Sequence, residues 1–327
     1  QGSGTEANPY LIETAENLAW IAEMVNSGVT TYAGVYFKLT SDLNMNSIAW
    51  VPIGNSTSQL FRGQFDGDNN FIDNISITGS YTYQGLFGIT GTGFRCANLG
   101  VNTTTSSTGQ YCGGVVGCIN GINTVVENCF NTGTISAAVS ISDYPCSGGI
   151  VGYIKQSTSV SRCYNTGTIS ATQNFSTMSS SNGSKSISGG IVGYIGSSTS
   201  ITDCYNSGAI SATSISYNTS YSGGIVGSTA NYFTMNINNC YNTGTISSSS
   251  VERSMSGGIF GSVGSGSSKV TTLTKCHNSG TITATAHTSS SSGSRASYSG
   301  GLVGFNNNKL SITYSYNRGA VRAYSHY

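Results

Sequence analysis

The chain has 327 residues, a formal net charge of +1 and a charged fraction of 8%, against roughly 25% in ordinary globular proteins. Its 13 basic residues are scattered singly, so the sequence lacks the basic stripe that binding to nucleic acid or an anionic membrane requires. No apolar run approaches the roughly 20 residues of a membrane span. The 44 glycines and 3 prolines suit short strands joined by polar turns.

The first predicted element is an amphipathic helix near the N-terminus. Thr14 is a suitable N-cap, Glu16 lies in the first turn and Gly28 follows the last turn. Apolar residues recur at helical spacing between them: Leu18, Ile21, Ala22 and Val25. Because the open end of a β-solenoid exposes apolar core and unpaired strand edges, we expect this helix to cover one end.

Short runs with strand character follow, at residues 34–39, 50–53, 60–65 and 71–77. Two phrases then alternate down the chain, after a worn copy at Gly85 and Cys96. The first phrase, Gly-Gly-aliphatic-Val/Phe-Gly, begins at Gly113, Gly148, Gly189, Gly223, Gly257 and Gly300. The second, Cys-aromatic-Asn-Thr/Ser-Gly, begins at Cys129, Cys163, Cys204, Cys240 and Cys276, with a last copy at Ser315. Starts of the first phrase lie 35, 41, 34, 34 and 43 residues apart, a period typical of stacked supersecondary units.

One repeat, residues 189–221, contains three strand candidates, at 191–195, 200–205 and 209–213. Three strands per repeat without helical spacing predict an all-β, right-handed parallel β-helix of about nine coils. We place an N-terminal cap and the first strands at residues 1–60, and the repeat-built solenoid at residues 61–327. The chain begins at Gln1 without a methionine, which favours an exported protein.

Three repeat positions are expected to form columns along the solenoid. The Asn of the second phrase can hydrogen-bond from coil to coil, and Asn also tolerates the left-handed turn of a corner. The Cys before it suits a column of buried thiols. Cys112, Cys118 and Cys146 fall outside that position, so a bridge among them is an open alternative. No Cys or His spacing typical of a zinc site occurs.

The aromatic residue after each ladder cysteine is the candidate binding position. If the cysteines point inward, strand alternation points these rings outward. The set comprises Phe130, Tyr164, Tyr205, Tyr241, His277 and Tyr316. Such a column could stack on sugars, or the rings could simply stabilise one another. The long Ser-rich inserts at residues 170–188 and 283–299 are expected to form loops at one corner, where solenoids often place function.

The oxygen-bearing residues Asp66, Asp68, Asn70 and Asp73 suggest either a calcium loop or a turn. Their string lacks the glycine and the terminal glutamate of an EF-hand. Turn chemistry is therefore the favoured interpretation, and no metal or cofactor is predicted.

The phrases at Gly148 (Gly-Gly-Ile-Val-Gly) and Cys163 (Cys-Tyr-Asn-Thr-Gly-Thr-Ile) resemble those of GLUG-motif proteins, repetitive β-helix proteins of bacterial surfaces. The opening also resembles the lead-in of that family, at residues 8–12, 36–39, 50–54 and 65–67. The resemblance covers essentially the whole chain and implies a secreted or surface-anchored adhesin. Some members carry such repeats beside an immunoglobulin A-cleaving metallopeptidase. This sequence has no His-Glu-x-x-His; its histidines are His277, His287 and His326, so the resemblance does not extend to peptidase activity.

A polysaccharide lyase or glycoside hydrolase is the alternative, because parallel β-helices host both and both need carboxylates. Past Asp73 the acidic residues occupy different repeat positions: Glu127, Asp143, Asp203 and Glu252. Glu127 and Arg162 are expected to form a surface ion pair across coils. We therefore predict a monomeric, non-enzymatic module at the bacterial surface or outside the cell. Its predicted role is to bind a glycan or a host or cell-surface protein, or to act as a rigid stalk.

Overall fold

The computed structural model describes residues 2–105, 108–139, 144–174, 185–215, 219–287 and 296–326. Within these residues the chain forms one α-helix and four β-sheets. The strands of each sheet pair in parallel, each with its counterpart in the next coil. The predicted all-β parallel β-helix is confirmed.

Sheet 1 has 15 strands and forms two walls of the solenoid. The first wall contains Tyr10–Ile12, Tyr36–Leu39, Gln64–Asp66, Arg95–Ala97, Thr124–Glu127, Thr158–Ser161, Thr199–Thr202 and Met235–Asn238. The second wall contains Phe87–Thr90, Val116–Ile119, Val151–Ile154, Val192–Ile195 and Val226–Thr229. Two long strands, Phe260–Thr274 and Val303–Thr313, run through both walls and join them.

Three smaller sheets complete the coils. Sheet 2 has seven strands: Tyr83–Gln84, Tyr111–Gly113, Cys146–Gly148, Lys185–Gly189, Thr219–Gly223, Arg253–Gly257 and Ala296–Gly300. Sheet 3 has nine strands: Leu43–Asn44, Phe71–Ile77, Gly100–Thr105, Phe130–Asn131, Tyr164–Asn165, Tyr205–Asn206, Tyr241–Asn242, His277–Asn278 and Tyr316–Asn317. Sheet 4 has six strands: Ile135–Val139, Ile169–Gln173, Ile210–Ser214, Ile246–Ser250, Ile282–His287 and Val321–His326.

A complete coil therefore contains five strands, and the prediction of three was wrong. The first cause is a left-handed residue, such as Asp203 with φ of 55°, which turns the chain just before the ladder cysteine and splits one predicted strand into two. Residues at the same position in other coils share this conformation: Asn98, Asn128, Arg162, Asn239, Lys275 and Tyr314. The second cause is the Gly-Gly phrase, whose first glycine ends a strand of sheet 2.

The main apolar core lies inside the two walls of sheet 1 and sheet 3. The ladder cysteines are part of this core, and each thiol donates to a carbonyl two residues earlier, as Cys204 does to Thr202 (3.2 Å). All nine cysteines, including Cys112, Cys118 and Cys146, are buried free thiols. The buried thiol column is confirmed, and the open alternative of a bridge is not realised.

Sheets 2 and 4 face each other through small side chains. Ser188 donates its hydroxyl to the Ser211 carbonyl oxygen (2.6 Å), and Ser222 donates to Ser247 (2.6 Å) in the next coil. Isoleucines and small residues of sheet 4 form a separate apolar cluster behind these contacts. Serine-to-carbonyl bonds of this kind require the two sheets to approach closely, so this part of the coil is a thin, flat extension of the main core.

The buried asparagines form a continuous ladder through the solenoid. Asn165 donates its amide to the Asn206 Oδ1 atom (2.8 Å), Asn206 donates to Asn242 (2.8 Å), and each also donates to the carbonyl of the glycine two residues on. The predicted ladder is confirmed. The left-handed residue of this corner, however, is Asp203, whereas Asn206 lies in a strand.

The second glycine of the first phrase makes room for this ladder. A Cβ atom on Gly190 would lie 2.5 Å from the Asn206 Cβ atom and would collide with the Gly224 carbonyl oxygen. The same contact recurs between Gly149 and Asn165. The second glycine of the first phrase thus packs against the asparagine of the second phrase. This contact explains why each repeat contains both phrases.

The helix spans Ala15–Asn26 and covers the N-terminal end of the core as expected. Thr14 accepts a hydrogen bond from the Asn17 amide N–H, and the Asn17 side chain accepts one from the Thr14 N–H (3.3 Å each), which forms a capping box. Leu18, Ile21, Ala22 and Val25 are buried, and they belong to the same cluster as the first strands.

We predict that Asn206→Ala lowers the free energy of unfolding by about 2–4 kcal/mol, because several buried polar groups lose partners at about 1–3 kcal/mol each. Urea unfolding followed by circular dichroism measures this change. Ser207→Ala, at the exposed neighbouring position, is the matched control and should change stability by less than about 0.5 kcal/mol. Equal effects of the two substitutions would contradict a stabilising role for the ladder.

Candidate functional site

The six predicted rings form one column on the outside of sheet 3, the aromatic ladder. Strand register aligns each ring with the next: Phe130, Tyr164, Tyr205, Tyr241, His277 and Tyr316. Successive centroids lie 4.7, 4.9, 5.0, 4.9 and 5.1 Å apart, and no pair of planes is tilted by more than 10°. The first five rings are half-buried, and Tyr316 is 45% exposed. The rings point outward because buried Cys and Asn side chains flank them on the strand.

A seventh ring, Phe71, extends the ladder and was missed in the sequence. It stacks on Phe130 with centroids 5.7 Å apart and planes at 14°. The intervening strand carries Gly100 at this position, paired with both phenylalanines. A Cβ atom on Gly100 would collide with Phe130 and lie 2.6 Å from Phe71, so the missing side chain lets the rings meet across two coils.

Stacking covers the ring faces within the ladder. The outer face of the last ring is also covered, because the guanidinium of Arg318 lies 5.0 Å from the Tyr316 centroid. The ladder therefore presents ring edges and hydroxyl groups to solvent. Burial raises the pKa of Tyr164 and of Tyr205, so these phenols stay protonated at neutral pH and can donate hydrogen bonds.

A polar column runs beside the aromatic ladder, two residues earlier in each coil. It consists of the left-handed corner residues Asn98, Asn128, Arg162, Asp203, Asn239 and Lys275. Asn128 donates to the Asn98 side chain (2.8 Å), Arg162 donates to Asn128 (3.1 Å) and Asn239 donates to Asp203 (2.7 Å). Exposed hydroxyl-bearing residues lie on the other side of the rings: Thr132, Thr166, Ser207, Thr243 and Ser279. The ring edges of the aromatic ladder lie between the polar column and this row of hydroxyl groups. Together they form a surface rich in hydrogen-bonding groups.

The predicted ion pair between Glu127 and Arg162 forms at 2.5 Å, and Arg95 binds the other carboxylate oxygen of Glu127 at 2.7 Å. This three-residue network spans three coils at the surface. Asp203 is bonded to Asn239, and Asp143 lies outside the described residues. The remaining described acidic side chain after residue 74, Glu252, lies 3.9 Å from Arg253.

The acidic string near residue 70 is used in turns and cross-coil bonds. Asp66 accepts from the Asp68 N–H (3.0 Å), Asp68 pairs with Lys38 (2.9 Å) and Asp73 accepts from the Asn102 amide (2.8 Å). Asp68 is left-handed, with φ of 51°. These partners account for the sequence pattern through turn chemistry.

The predicted Ser-rich loops join sheet 4 to sheet 2. Their central parts, residues 175–184 and 288–295, lie outside the described residues. The described ends belong to strands Ile169–Gln173, Lys185–Gly189, Ile282–His287 and Ala296–Gly300.

A groove of about 570 Å³ lies between the helix and residues 45–51. Ala19, Ile48 and Trp50 contribute apolar surface, and Glu16 and Glu23 contribute carboxylates. Ile48 is 71% exposed. Within the part of the chain that the structure describes, no helix combines the length and apolarity needed to cross a bilayer.

No protein family model matches the chain. The chain is 31% identical over 160 residues to halomucin from Haloquadratum walsbyi, and the match covers 46% of this chain and 2% of halomucin. It is 33% identical over 111 residues to a putative Gly-rich membrane protein from Evansella cellulosilytica, covering 34% of this chain and 12% of that protein. The chain thus matches only a small part of the length of either relative.

The fold is shared with the crystal structure of a putative immunoglobulin A1 protease from Bacteroides ovatus. The TM-score is 0.62 at 24% identity, and the match covers 96% of this chain and 86% of the other. This comparison contradicts the prediction that the chain is not an enzyme, because a protein of the same fold is described as a putative protease. At this level of identity the likeness establishes the fold alone.

We predict that His277 makes stability pH-dependent. Burial, with a smaller effect of Arg318, lowers its pKa below the ordinary 6.5. The unfolded chain therefore binds the proton first, and native stability falls as pH drops below about 6.5. Thermal unfolding between pH 7.5 and 5.5 should show a larger loss for the wild type than for His277→Tyr, which keeps the stack. The same pH dependence in both proteins would contradict this prediction.

Proposed function

We propose that the protein is an adhesin-type module, secreted or displayed at a bacterial surface, that binds a glycan along the aromatic ladder and the polar column. The continuous ladder carries this proposal. It repeats an aromatic ring edge beside an exposed threonine or serine hydroxyl about every 5 Å, so a polymer lying along it meets similar groups in several coils. Weak contacts repeated along one ligand add to a useful affinity.

The covered ring faces define how a sugar would be held. Binding would rely on hydrogen bonds from Tyr205 and Tyr241 hydroxyls and from the neighbouring amides, rather than on a sugar stacked flat on a ring. The hydroxyl groups of these tyrosines have no hydrogen-bond partner among the described residues, so they are available to a ligand. The surface location rests on the resemblance to GLUG-motif proteins and agrees with the name of the membrane-protein relative.

A glycan array probed with the purified chain tests the proposal. Tyr205→Phe/Tyr241→Phe keeps the stacked rings and removes two donors, so we expect binding to weaken about tenfold or more, at about 1 kcal/mol per hydrogen bond. Tyr205→Ala/Tyr241→Ala should also lose binding, with some loss of stability. Tyr232→Phe, at a 63% exposed tyrosine outside the ladder and the polar column, is the control and should bind as the wild type.

Two results would count against the proposal. Unchanged binding by both double variants would make the ladder purely structural. Failure to bind any glycan would leave a protein-binding or stalk role in its place.

A further inference from the structure

A second group of tyrosines lies on a different face, at the corner made by the Gly-Gly phrase. Here the outer side of sheet 2 meets the outer side of the second wall of sheet 1. Tyr111 of sheet 2 lies 4.9 Å from Tyr153 of sheet 1, and Tyr298 lies 5.3 Å from Phe305 in a later coil (ring centroids). Glycine is required at the bend: a Cβ atom on Gly193 would lie 2.8 Å from the Ser147 carbonyl oxygen. We call this strip the tyrosine groove; its central residues are Tyr144, Tyr153, Tyr194 and Tyr221.

The rings of the tyrosine groove are not stacked like those of the ladder. The planes of Tyr111 and Tyr153 are inclined at 39°, and those of Tyr153 and Tyr194 at 52°. Tyr144, Tyr153 and Tyr194 are half-buried, whereas Tyr221 is buried in a cluster with Cys146, Ile187 and Met255. The first three rings therefore remain partly accessible at this strip.

Two lysines place positive charge in the groove. The Lys185 ammonium lies 5.5 Å from the Tyr144 centroid and 5.8 Å from the Tyr221 centroid, and Lys155 lies 5.6 Å from Tyr153. Neither ammonium forms a salt bridge within the described residues. Lys185 is half-buried, and burial lowers its pKa, as expected for an ammonium that has lost water without gaining a carboxylate.

The buried thiol and phenols around Lys185 are neutral at pH 7. Burial raises the pKa of Cys146, of Tyr194 and of Tyr221, and raises that of Tyr153 to about 12. The nearby carboxylate, Glu252, lies 3.9 Å from the Arg253 side chain. Among the described residues, the groove thus combines phenol donors with two lysines that have no carboxylate partner.

We propose that the tyrosine groove binds a carboxylated sugar, with the carboxylate on Lys185 and the pyranose ring against Tyr144 and Tyr194. A carboxylate complements this ammonium because it carries one negative charge and accepts charge-assisted hydrogen bonds. The partly accessible rings suit the C–H side of a sugar, and the phenol hydroxyls suit its hydroxyl groups. The site is separate from the aromatic ladder and does not depend on it.

Calorimetric titration of the purified chain tests this site with oligogalacturonate, oligoglucuronate and sialyllactose, each beside its neutral parent sugar. We expect at least one carboxylated sugar to bind and its neutral parent to bind at least about tenfold more weakly, since a hydrogen bond to a charged group is worth about 1.5–3 kcal/mol. Lys185→Met should weaken binding about 10- to 100-fold. It should also leave the urea midpoint unchanged or raise it. The substitution removes a partly buried ammonium that has no carboxylate partner among the described residues. Lys309→Met, at an exposed lysine of the long strand Val303–Thr313, is the matched control.

The outcomes separate this proposal from the one for the ladder. Binding that is lost in Lys185→Met but kept in Tyr205→Phe/Tyr241→Phe supports the tyrosine groove. The proposal is overturned if no carboxylated sugar binds, if neutral parents bind equally well, or if Lys309→Met weakens binding as much as Lys185→Met. Preference for a sulfated sugar or a glutamate-containing peptide over every carboxylated sugar would also overturn it.

Discussion

The fold depends on the buried amide of the ladder asparagine. A buried amide without partners costs more than a normal hydrogen bond gains, and the partners of Asn206 lie in the neighbouring coils and at Gly208. They can be reached only if every coil keeps the same register and if Gly190 leaves space beside the side chain. A slip of one residue would turn Asn206 to solvent and the neighbouring ring to the core. The amide therefore fixes the positions of all side chains on the coil.

This register constraint separates the two aromatic surfaces. Residues next to the ladder asparagine are held in line, so the rings of Tyr164 and Tyr205 stack within 4° of parallel and cover each other's faces. Residues at the Gly-Gly corner come from two sheets that meet at an angle, so Tyr153 and Tyr194 cannot stack in the same way. The first surface contributes stability and a regular row of edges. The second places two lysines, which have no carboxylate partner among the described residues, beside tilted rings.

Much of the architecture could be predicted because the repeated residue types indicate a particular local structure. Asn and Gly of the two phrases, the helix cap at Thr14 and the ring column all carry local signals. The left-handed corner was hidden, because Arg162 and Lys275 occupy it as readily as Asn128 does and neither residue type signals that conformation. The tyrosine groove was hidden for another reason: Tyr153 and Tyr221 lie on different strands and in different coils, so only the bend between sheets brings this strip together.

The variation between coils indicates where specificity can reside. Along the aligned column of sheet 2 the residues are Tyr83, Tyr111, Cys146, Ile187, Tyr221, Met255 and Tyr298, whereas the ladder column is Asn in six successive coils. Each coil contacts only its neighbours, so a group such as Lys185, half-buried and without a carboxylate partner among the described residues, destabilises the solenoid only locally. The ladder amides have no such freedom, because each one completes the hydrogen bonds of the next. Side chains that distinguish one ligand from another can therefore change at the Gly-Gly corner while the asparagine ladder keeps the coils in register.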